Sequence, residues 1–190
     1  MKNIHLAYYR DEVGEELLLF KRDNFTAIDR WLHFVEQHFD SFFKDVKVDY
    51  VVRALSSNEV SYEGNTPLDF MGELLATKLN AQYVPHILTK NRTQALKSAG
   101  NKYRRKEILD KSYHCNLKDL KKNATYLIVD DVSTTGTTFN EIARSIVEAS
   151  NQKAKTISFS LVKTLWDRDY TQTKIRYNQK FYRALTAEGN

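Results

Sequence analysis

The hydrophobic period changes several times along the chain, and each change predicts an element. Ile4–Tyr9 and Glu16–Phe20 are short β-prone runs separated by a turn-like Arg10–Gly14, which predicts an N-terminal hairpin. From Asn24 to Phe43 the apolar residues Ile28, Trp31, Leu32, Val35, Phe39 and Phe42 recur at spacings of three and four, the mark of one helical face. Asp49–Leu55 reads as a buried strand interrupted by Arg53, and Ser56–Asn65 as a polar loop. Thr66-Pro67 opens a helix, with Thr66 as N-cap, Pro67 in the first turn and Asp69 three residues after the cap. Leu68, Met71, Leu75 and Leu79 make its inner face. Gln82–Leu88 is a short strand in which Pro85 implies an edge or a bulge. A polar stretch follows, with a helix predicted near Tyr103–Asp110. Thr125–Val129 is a near-continuous apolar run, as in a parallel strand buried on both faces. Phe139–Ala149 is amphipathic, Thr156–Val162 is the next strand, and residues 165–190 are rich in Tyr and Arg without a clear period. This succession predicts an α/β fold, an open parallel sheet of about five strands flanked by helices.

Composition adds boundaries rather than detail. The 190 residues fit one domain, 1–190, with a C-terminal extension from about 165. Only 6 Gly and 2 Pro argue against linkers and long disordered tracts. The one cysteine, Cys115, excludes an intramolecular disulfide and a Cys-rich zinc site. No apolar run is long enough to span a membrane, and the N-terminus lacks the apolar stretch of a signal peptide, so a cytoplasmic protein is expected. The five histidines have no metal-ligand spacing; His33 and His38 are five apart and do not share a helical face.

Charge changes the picture more. Residues 1–89 hold 9 basic and 14 acidic side chains, residues 90–122 hold 11 and 3, and residues 123–190 hold 9 and 7. The positive excess therefore sits in one stretch, which would attract an anion: a phosphorylated small molecule, nucleic acid or a membrane surface. Tyr103-Arg104-Arg105-Lys106 interleaves an aromatic with bases, a pattern that also suits single-stranded nucleic acid.

The chemistry concentrates in Val129-Asp130-Asp131-Val132-Ser133-Thr134-Thr135-Gly136-Thr137-Thr138. An apolar strand ends in two acids, and a loop of Thr and Gly leads into a helix. In open α/β sheets, ligands bind beyond the carboxyl ends of strands. Two carboxylates there can accept hydrogen bonds from vicinal hydroxyls. A glycine lets backbone N–H groups curl around an anion, and the helix N-terminus adds partial positive charge. Acids for a sugar beside a loop for a phosphate fit a ribose 5-phosphate. The absence of a Lys after the Gly excludes a Walker A loop.

Tyr126–Thr138, YLIVDDVSTTGTT, resembles the phosphoribosyl pyrophosphate (PRPP) signature of type I phosphoribosyltransferases, with Ser133 where an aliphatic residue is usual. Within that family the resemblance is to the ComF-like branch associated with DNA uptake, without its four-Cys zinc ribbon. Ile4–Lys21 resembles its N-terminal hairpin ending in Lys, and Gly64-Asn65-Thr66-Pro67-Leu68 its helix start. Arg92-Thr93-Gln94-Ala95-Leu96 with Arg104 and Arg105 resembles its Arg…Gln…Leu…Arg segment.

The resemblance implies a Mg2+-dependent transfer of ribose 5-phosphate from PRPP to a nitrogen nucleophile such as a nucleobase, with release of pyrophosphate. It implies that Asp130 and Asp131 bind the ribose hydroxyls and meet Mg2+ directly or through water. It assigns Thr134, Thr135, Gly136, Thr137 and Thr138 to the 5′-phosphate. Ala54, Leu55, Ser56 and Ser57 fall at the pyrophosphate loop, which often holds a non-proline cis peptide. Residues 90–113 fall at a flexible basic hood, and Arg53, Arg92, Arg104 and Arg105 are candidates for the leaving group. Trp166 and Tyr170 follow the last strand, on an edge that can face the base. Many purine-specific members carry Asp where Thr134 stands, so hypoxanthine and guanine are expected to be poor acceptors. A non-catalytic PRPP or nucleotide sensor and a ComF-like DNA-processing protein are the rival readings; a homodimer is compatible with any of them.

Overall fold

The structure, a computed structural model, describes residues 2–91, 111–165 and 169–187. Strands β1 (Lys2–Tyr8), β2 (Tyr50–Arg53), β3 (Gln82–Tyr83), β6 (Thr125–Ser133) and β7 (Lys155–Lys163) form one sheet in the order β1-β7-β6-β2-β3. Every pairing in it is parallel. A second, two-stranded antiparallel sheet joins β4 (Leu88–Lys90) to β5 (Tyr113–Cys115). The helices are α1 (Asp11–Lys21), α2 (Phe25–Gln37), α3 (Phe39–Phe43), α4 (Pro67–Leu79), α5 (Thr137–Ala149) and α6 (Gln172–Ala187). The expected α/β sheet of five parallel strands is present among the described residues.

Side-chain alternation along the central strands builds two cores. On β6, Leu127 and Val129 face a cluster with α1, α2, α4 and α6, where Val13, Leu17, Trp31, Val35, Met71, Leu75 and Phe181 are buried. Tyr126 and Ile128 face the other way, into a cluster with Phe139, Ile142 and Ile146 of α5 and with Leu88 and Tyr113 of the small sheet. A strand covered on both faces has no polar position to offer, hence the continuous apolar run.

The N-terminal hairpin is corrected. Ile4–Tyr9 is strand-forming, but Glu16–Phe20 belongs to α1, and β1 pairs in parallel with β7. Val13, Leu17 and Phe20 are buried at helical spacing, and Leu is a strong helix former. Glu16 is buried in the same helix, where Arg30 of α2 bonds it at 2.7 Å. The predicted helical face 24–43 is split at His38, whose ring stacks on Phe34 at 4.3 Å. Pro85 ends β3, the sheet's edge strand, in a 3-10 turn, Pro85–Ile87. Residues 172–187, left without a period above, form α6, with Asn178, Phe181 and Leu185 buried.

Helix α6 also closes the opposite edge of the sheet. Asn178 accepts a bond from Tyr8 N–H at 3.0 Å and donates to Tyr8 C=O at 2.8 Å, and Tyr177 Oη donates to Leu6 C=O at 2.5 Å. These bonds use backbone groups that an open edge would leave for another chain. Replacing Asn178 by Ala should therefore lower stability by about 1–3 kcal/mol, the cost of leaving buried polar groups unmatched. Urea unfolding should show a lower midpoint at unchanged slope; an unchanged midpoint would contradict this role for the amide.

Candidate active site

Strand order places the site. From β2 the chain winds through α4 outward to β3, and from β6 it winds through α5 in the opposite direction to β7. The two crossovers leave a crevice where β2 and β6 part, the position at which open parallel sheets bind ligands. Strand β6 runs four residues past the last β2 partner, Arg53 opposite Val129. The cleft beyond has a volume of about 790 Å³ and is lined by Lys21, residues 53–57, Thr66, Lys90, Tyr113 and residues 130–139. That size suits a small phosphorylated molecule.

Asp130 and Asp131 stand in the overhanging end of β6, Asp130 opposite Ser160 of β7, rather than beyond the strand's end. Neighbouring strand residues project to opposite faces. Asp131 continues the Leu127–Val129 side and meets Lys21 of α1 at 3.0 Å. Asp130 continues the other side, toward the small sheet, and accepts a bond from Asp131 N–H at 2.9 Å. Its carboxyl is pushed up from the usual carboxylate range by burial first and by the adjacent Asp131 second, against the opposing pull of Lys21 and Lys90. A half-buried acid beside a second acid is a place for cations or hydroxyl donors.

The Thr/Gly loop lines the same cleft. Gly136 is the N-cap of α5 with φ 73°, a left-handed conformation that glycine adopts without strain, and open space lies where a side chain would stand. Its carbonyl accepts from Asn140 N–H at 2.9 Å, so the N–H groups of residues 137–139 have no intrahelical acceptor. Thr135 and Thr137 share a hydroxyl bond of 2.6 Å. Free first-turn amides, hydroxyls and a helix N-terminus together suit an anion.

The opposite wall is the loop after β2, and here Arg53 is corrected. Its side chain is 1% exposed and donates four hydrogen bonds. Nε donates to Asp69 at 2.6 Å, Nη1 to Glu59 at 2.8 Å and to Ala54 C=O at 3.1 Å, and Nη2 to Glu59 at 2.6 Å. Burial opposes the charges, but these bonds outweigh it, so the Arg53 pKa is raised and those of Glu59 and Asp69 are lowered. With two carboxylates around it, Arg53 has no charge to spare for a leaving group. It instead shapes the loop: Glu59 also takes Ser56 N–H at 2.6 Å, and Asp69 takes Thr66 N–H at 2.8 Å and Tyr83 Oη at 2.6 Å. Ala54, Leu55, Ser56 and Ser57 line the cleft, with trans peptides rather than a cis one.

Several residues of the cleft were not singled out from sequence: Glu59, Lys90 and Tyr113. One signal was available, because a charged residue inside a buried strand run, Arg53 in Tyr50–Leu55, requires buried countercharges nearby. Arg92, Arg104, Arg105 and Trp166 lie outside the described residues, as does the predicted helix near Tyr103–Asp110. Tyr170 does not line the cleft and is corrected as a base contact. It sits at the β1 edge, bonded to Asp11 at 3.3 Å, under Arg10 at 5.6 Å and edge-on to Tyr8. Burial pushes the Cys115 thiol up to about 12, which leaves it an inert small hydrophobe.

Asp130 and Asp131 are hard oxygen donors, but they point to opposite faces, and no cluster of three or more His, Cys, Asp or Glu is gathered among the described residues. This set does not cage a resident ion. The chemistry of the set is compatible with Mg2+ that would be held mainly by a ligand's phosphates and water, Asp130 and Asp131 being the residues that would meet it.

No family model and no curated protein matches the chain. Among solved structures it is similar to adenine phosphoribosyltransferase from Saccharomyces cerevisiae, at 22% identity and TM-score 0.45, over 78% of this chain and 73% of that one. It is similar to adenine phosphoribosyltransferase from Trypanosoma brucei at 13% identity and TM-score 0.42, over 78% and 70%. A hypoxanthine phosphoribosyltransferase from Staphylococcus aureus is similar at 15% identity and TM-score 0.42, over 74% and 75%. The functional reading below rests on the cleft itself.

Asp130 carries a stability cost that titrates. A carboxyl whose pKa is higher folded than unfolded binds its proton more tightly in the native state. Stability then falls as pH rises from the ordinary carboxylate range, about 3.9, through the raised folded value. Asp130→Asn, which keeps the acceptor for Asp131 N–H, should melt above the wild type at pH 8, and the gap should close near pH 4. A variant that melts below the wild type by the same margin at both pH values would contradict the assigned strain.

Proposed function

We propose that this chain is a phosphoribosyltransferase that moves ribose 5-phosphate from PRPP to a nitrogen nucleophile, a nucleobase being the fitting class, and releases pyrophosphate. One observation carries the reading: two adjacent carboxylates on the overhang of β6 line the same cleft as the hydroxyl-rich loop at the N-terminus of α5. Acids for sugar hydroxyls and a cradle for a terminal phosphate are what the two ends of a ribose 5-phosphate require. Fold likeness alone would not support this, because one fold hosts many chemistries.

In this reading Thr134, Thr135, Gly136, Thr137 and Thr138 hold the 5′-phosphate through amides and hydroxyls. Asp130 and Asp131 take the ribose 2′- and 3′-hydroxyls and favour the positive charge that grows on the ring as the bond from C1 to the pyrophosphate oxygen breaks. The bond from C1 to the acceptor nitrogen forms as pyrophosphate leaves, and the acceptor's proton passes to the departing pyrophosphate or to water. No covalent enzyme intermediate is needed; positioning and charge complementarity supply the rate. Where Mg2+ is bound with PRPP, its chemistry would be charge neutralisation of the diphosphate, with Asp130 and Asp131 as the residues that would meet it. Ala54, Leu55, Ser56 and Ser57 form the wall against which the pyrophosphate rests. Arg92, Arg104 and Arg105 are the cationic candidates, and they belong to a segment whose two ends meet beside the cleft, where Lys90 pairs with Tyr113.

The acceptor follows from Thr134. A threonine hydroxyl is not a general base near neutral pH, and no carboxylate other than Asp130 and Asp131 adjoins the loop in sequence. An acceptor that is acidic already, or that loses its proton to departing pyrophosphate, suits this site better than hypoxanthine or guanine.

The test is pyrophosphate release from Mg-PRPP with a panel of purines, pyrimidines and ammonia. Release with at least one nitrogen acceptor is expected, with hypoxanthine and guanine slow. Turnover of either purine at about 1 per second or faster, typical of a committed enzyme, would contradict the assignment of Thr134. PRPP binding with no release in any arm would make the chain a sensor rather than an enzyme.

A further inference from the structure

Lys90 is the one buried ammonium that borders the cleft among the described residues and pairs with no carboxylate there; its residue is 7% exposed. Its Nζ donates to Leu55 C=O at 3.2 Å and to Ser56 C=O. Leu55 C=O takes a second bond from Tyr113 Oη at 3.2 Å, and Ser56 C=O a second from Glu59 N–H at 3.2 Å. Both lone pairs of both carbonyls are thus occupied. Tyr113 and Lys90 are direct partners across β4 and β5, and the Lys90 ammonium lies over the Tyr113 ring at 5.7 Å.

The arrangement is costly as mere packing. An ammonium buried against carbonyls loses its water without gaining an ion-pair partner, and an apolar side chain of similar length would serve a core better. Burial accordingly lowers the Lys90 pKa, against the opposing pull of Glu59 and Asp130. What the cation does provide is control of the loop. Leu55 and Ser56 line a cleft that the proposed function fills with a diphosphate, and a bare carbonyl oxygen there repels an anion. In a trans peptide the C=O and the next N–H point to opposite sides. Fixing the Ser56 carbonyl on Lys90 therefore fixes the direction of the Ser57 N–H as well.

We infer that Lys90, seconded by Tyr113, is a positioning residue for diphosphate recognition: it gathers the Leu55 and Ser56 carbonyls out of the anion's way and holds the Ser56–Ser57 peptide in the orientation that receives the leaving group. The inference rests on the phosphoribosyl reading. It also gives the strand that opens the basic segment a task distinct from contact with substrate.

The experiment is calorimetry of the full chain with three probes, Mg-PRPP, Mg-pyrophosphate and ribose 5-phosphate, on the wild type, Lys90→Met and Tyr113→Phe. Lys90→Met should melt at or above the wild-type temperature, since a buried charge is removed, while losing about tenfold or more in affinity for pyrophosphate and PRPP. Its affinity for ribose 5-phosphate should stay within about twofold. Tyr113→Phe removes one donor to Leu55 C=O and no charge, so it should give a smaller loss with the same selectivity, and it stands as the test if Lys90→Met fails to fold. Pyrophosphate affinity within about twofold of wild type in both variants, or an equal loss for all three probes, would overturn the positioning role. A loss in Lys90→Met with none in Tyr113→Phe would overturn it too, as the mark of a direct ion contact. Wild-type protein that binds ribose 5-phosphate but neither PRPP nor pyrophosphate would overturn the phosphoribosyl reading, and this inference with it.

Discussion

Strand β6 is apolar from Tyr126 to Val129, where helices cover one face and α5 with the small sheet covers the other, and it turns acidic as β2, its neighbour, comes to an end. The site follows from that mismatch in length. Beyond Val129 the strand keeps β7 on one side and loses β2 on the other, so its side chains border a cleft instead of a core. Because successive residues face opposite ways, two adjacent acids sample both sides of the sheet: Asp131 meets Lys21 of α1, and Asp130 looks toward the small sheet and Lys90. The crossovers α4 and α5 leave in opposite directions and carry the two cleft-lining loops, 53–59 and 133–137, to either side of this overhang.

Rigidity in the cleft comes from one buried cluster. Arg53 between Glu59 and Asp69 ties the loop after β2 to the start of α4, and Tyr83 ties the same cluster to the edge strand. A buried ionic cluster seldom contributes much net stability compared with apolar packing, but breaking it by removing one member is severe. Its effect here is to fix direction. Ser56 N–H is committed to Glu59, and the Leu55 and Ser56 carbonyls are committed to Lys90. The loop is held from two sides by opposite charges, while burial and the adjacent acid hold Asp130 away from the protonation state a carboxyl prefers in water. Stability is thus given up at Asp130, and order is imposed at residues 54–57, both at the place where a charged ligand would be received.

Much of this was legible in the sequence because the relevant signals are local. The two-sided burial of β6 reads directly as an apolar run, the Thr66–Asp69 cap reads from residue types at fixed spacing, and the Asp-Asp and Thr/Gly segment carries its chemistry in contiguous residues. The failures share a cause as well. Glu16–Phe20 was read as a strand because a short run with Leu17, Leu18, Leu19 and Phe20 has no period of its own, and only the burial of Val13 one turn earlier decides for a helix. Arg53 reads as a ligand for pyrophosphate because nothing in its own strand shows that Glu59, six residues on in the next loop, and Asp69, in the first turn of α4, fold back onto it. Tyr170 was placed at the base by its position after the last strand, whereas the course of the chain into α6 carries it to the β1 edge. Helix α6 escaped notice because its buried face is only Asn178, Phe181 and Leu185, set among basic and tyrosyl positions.

The central claim is that Asp130 and Asp131 form one half of a ribose 5-phosphate site. Calorimetric titration of Mg-PRPP into the wild type and into the double variant Asp130→Asn with Asp131→Asn tests it most directly, with circular dichroism to establish that both are folded. Each charge-assisted hydrogen bond lost is worth about 1.5–3 kcal/mol, so affinity should fall by at least about tenfold in a variant whose fold is intact. An affinity unchanged from the wild type would show that these carboxylates do not face the sugar.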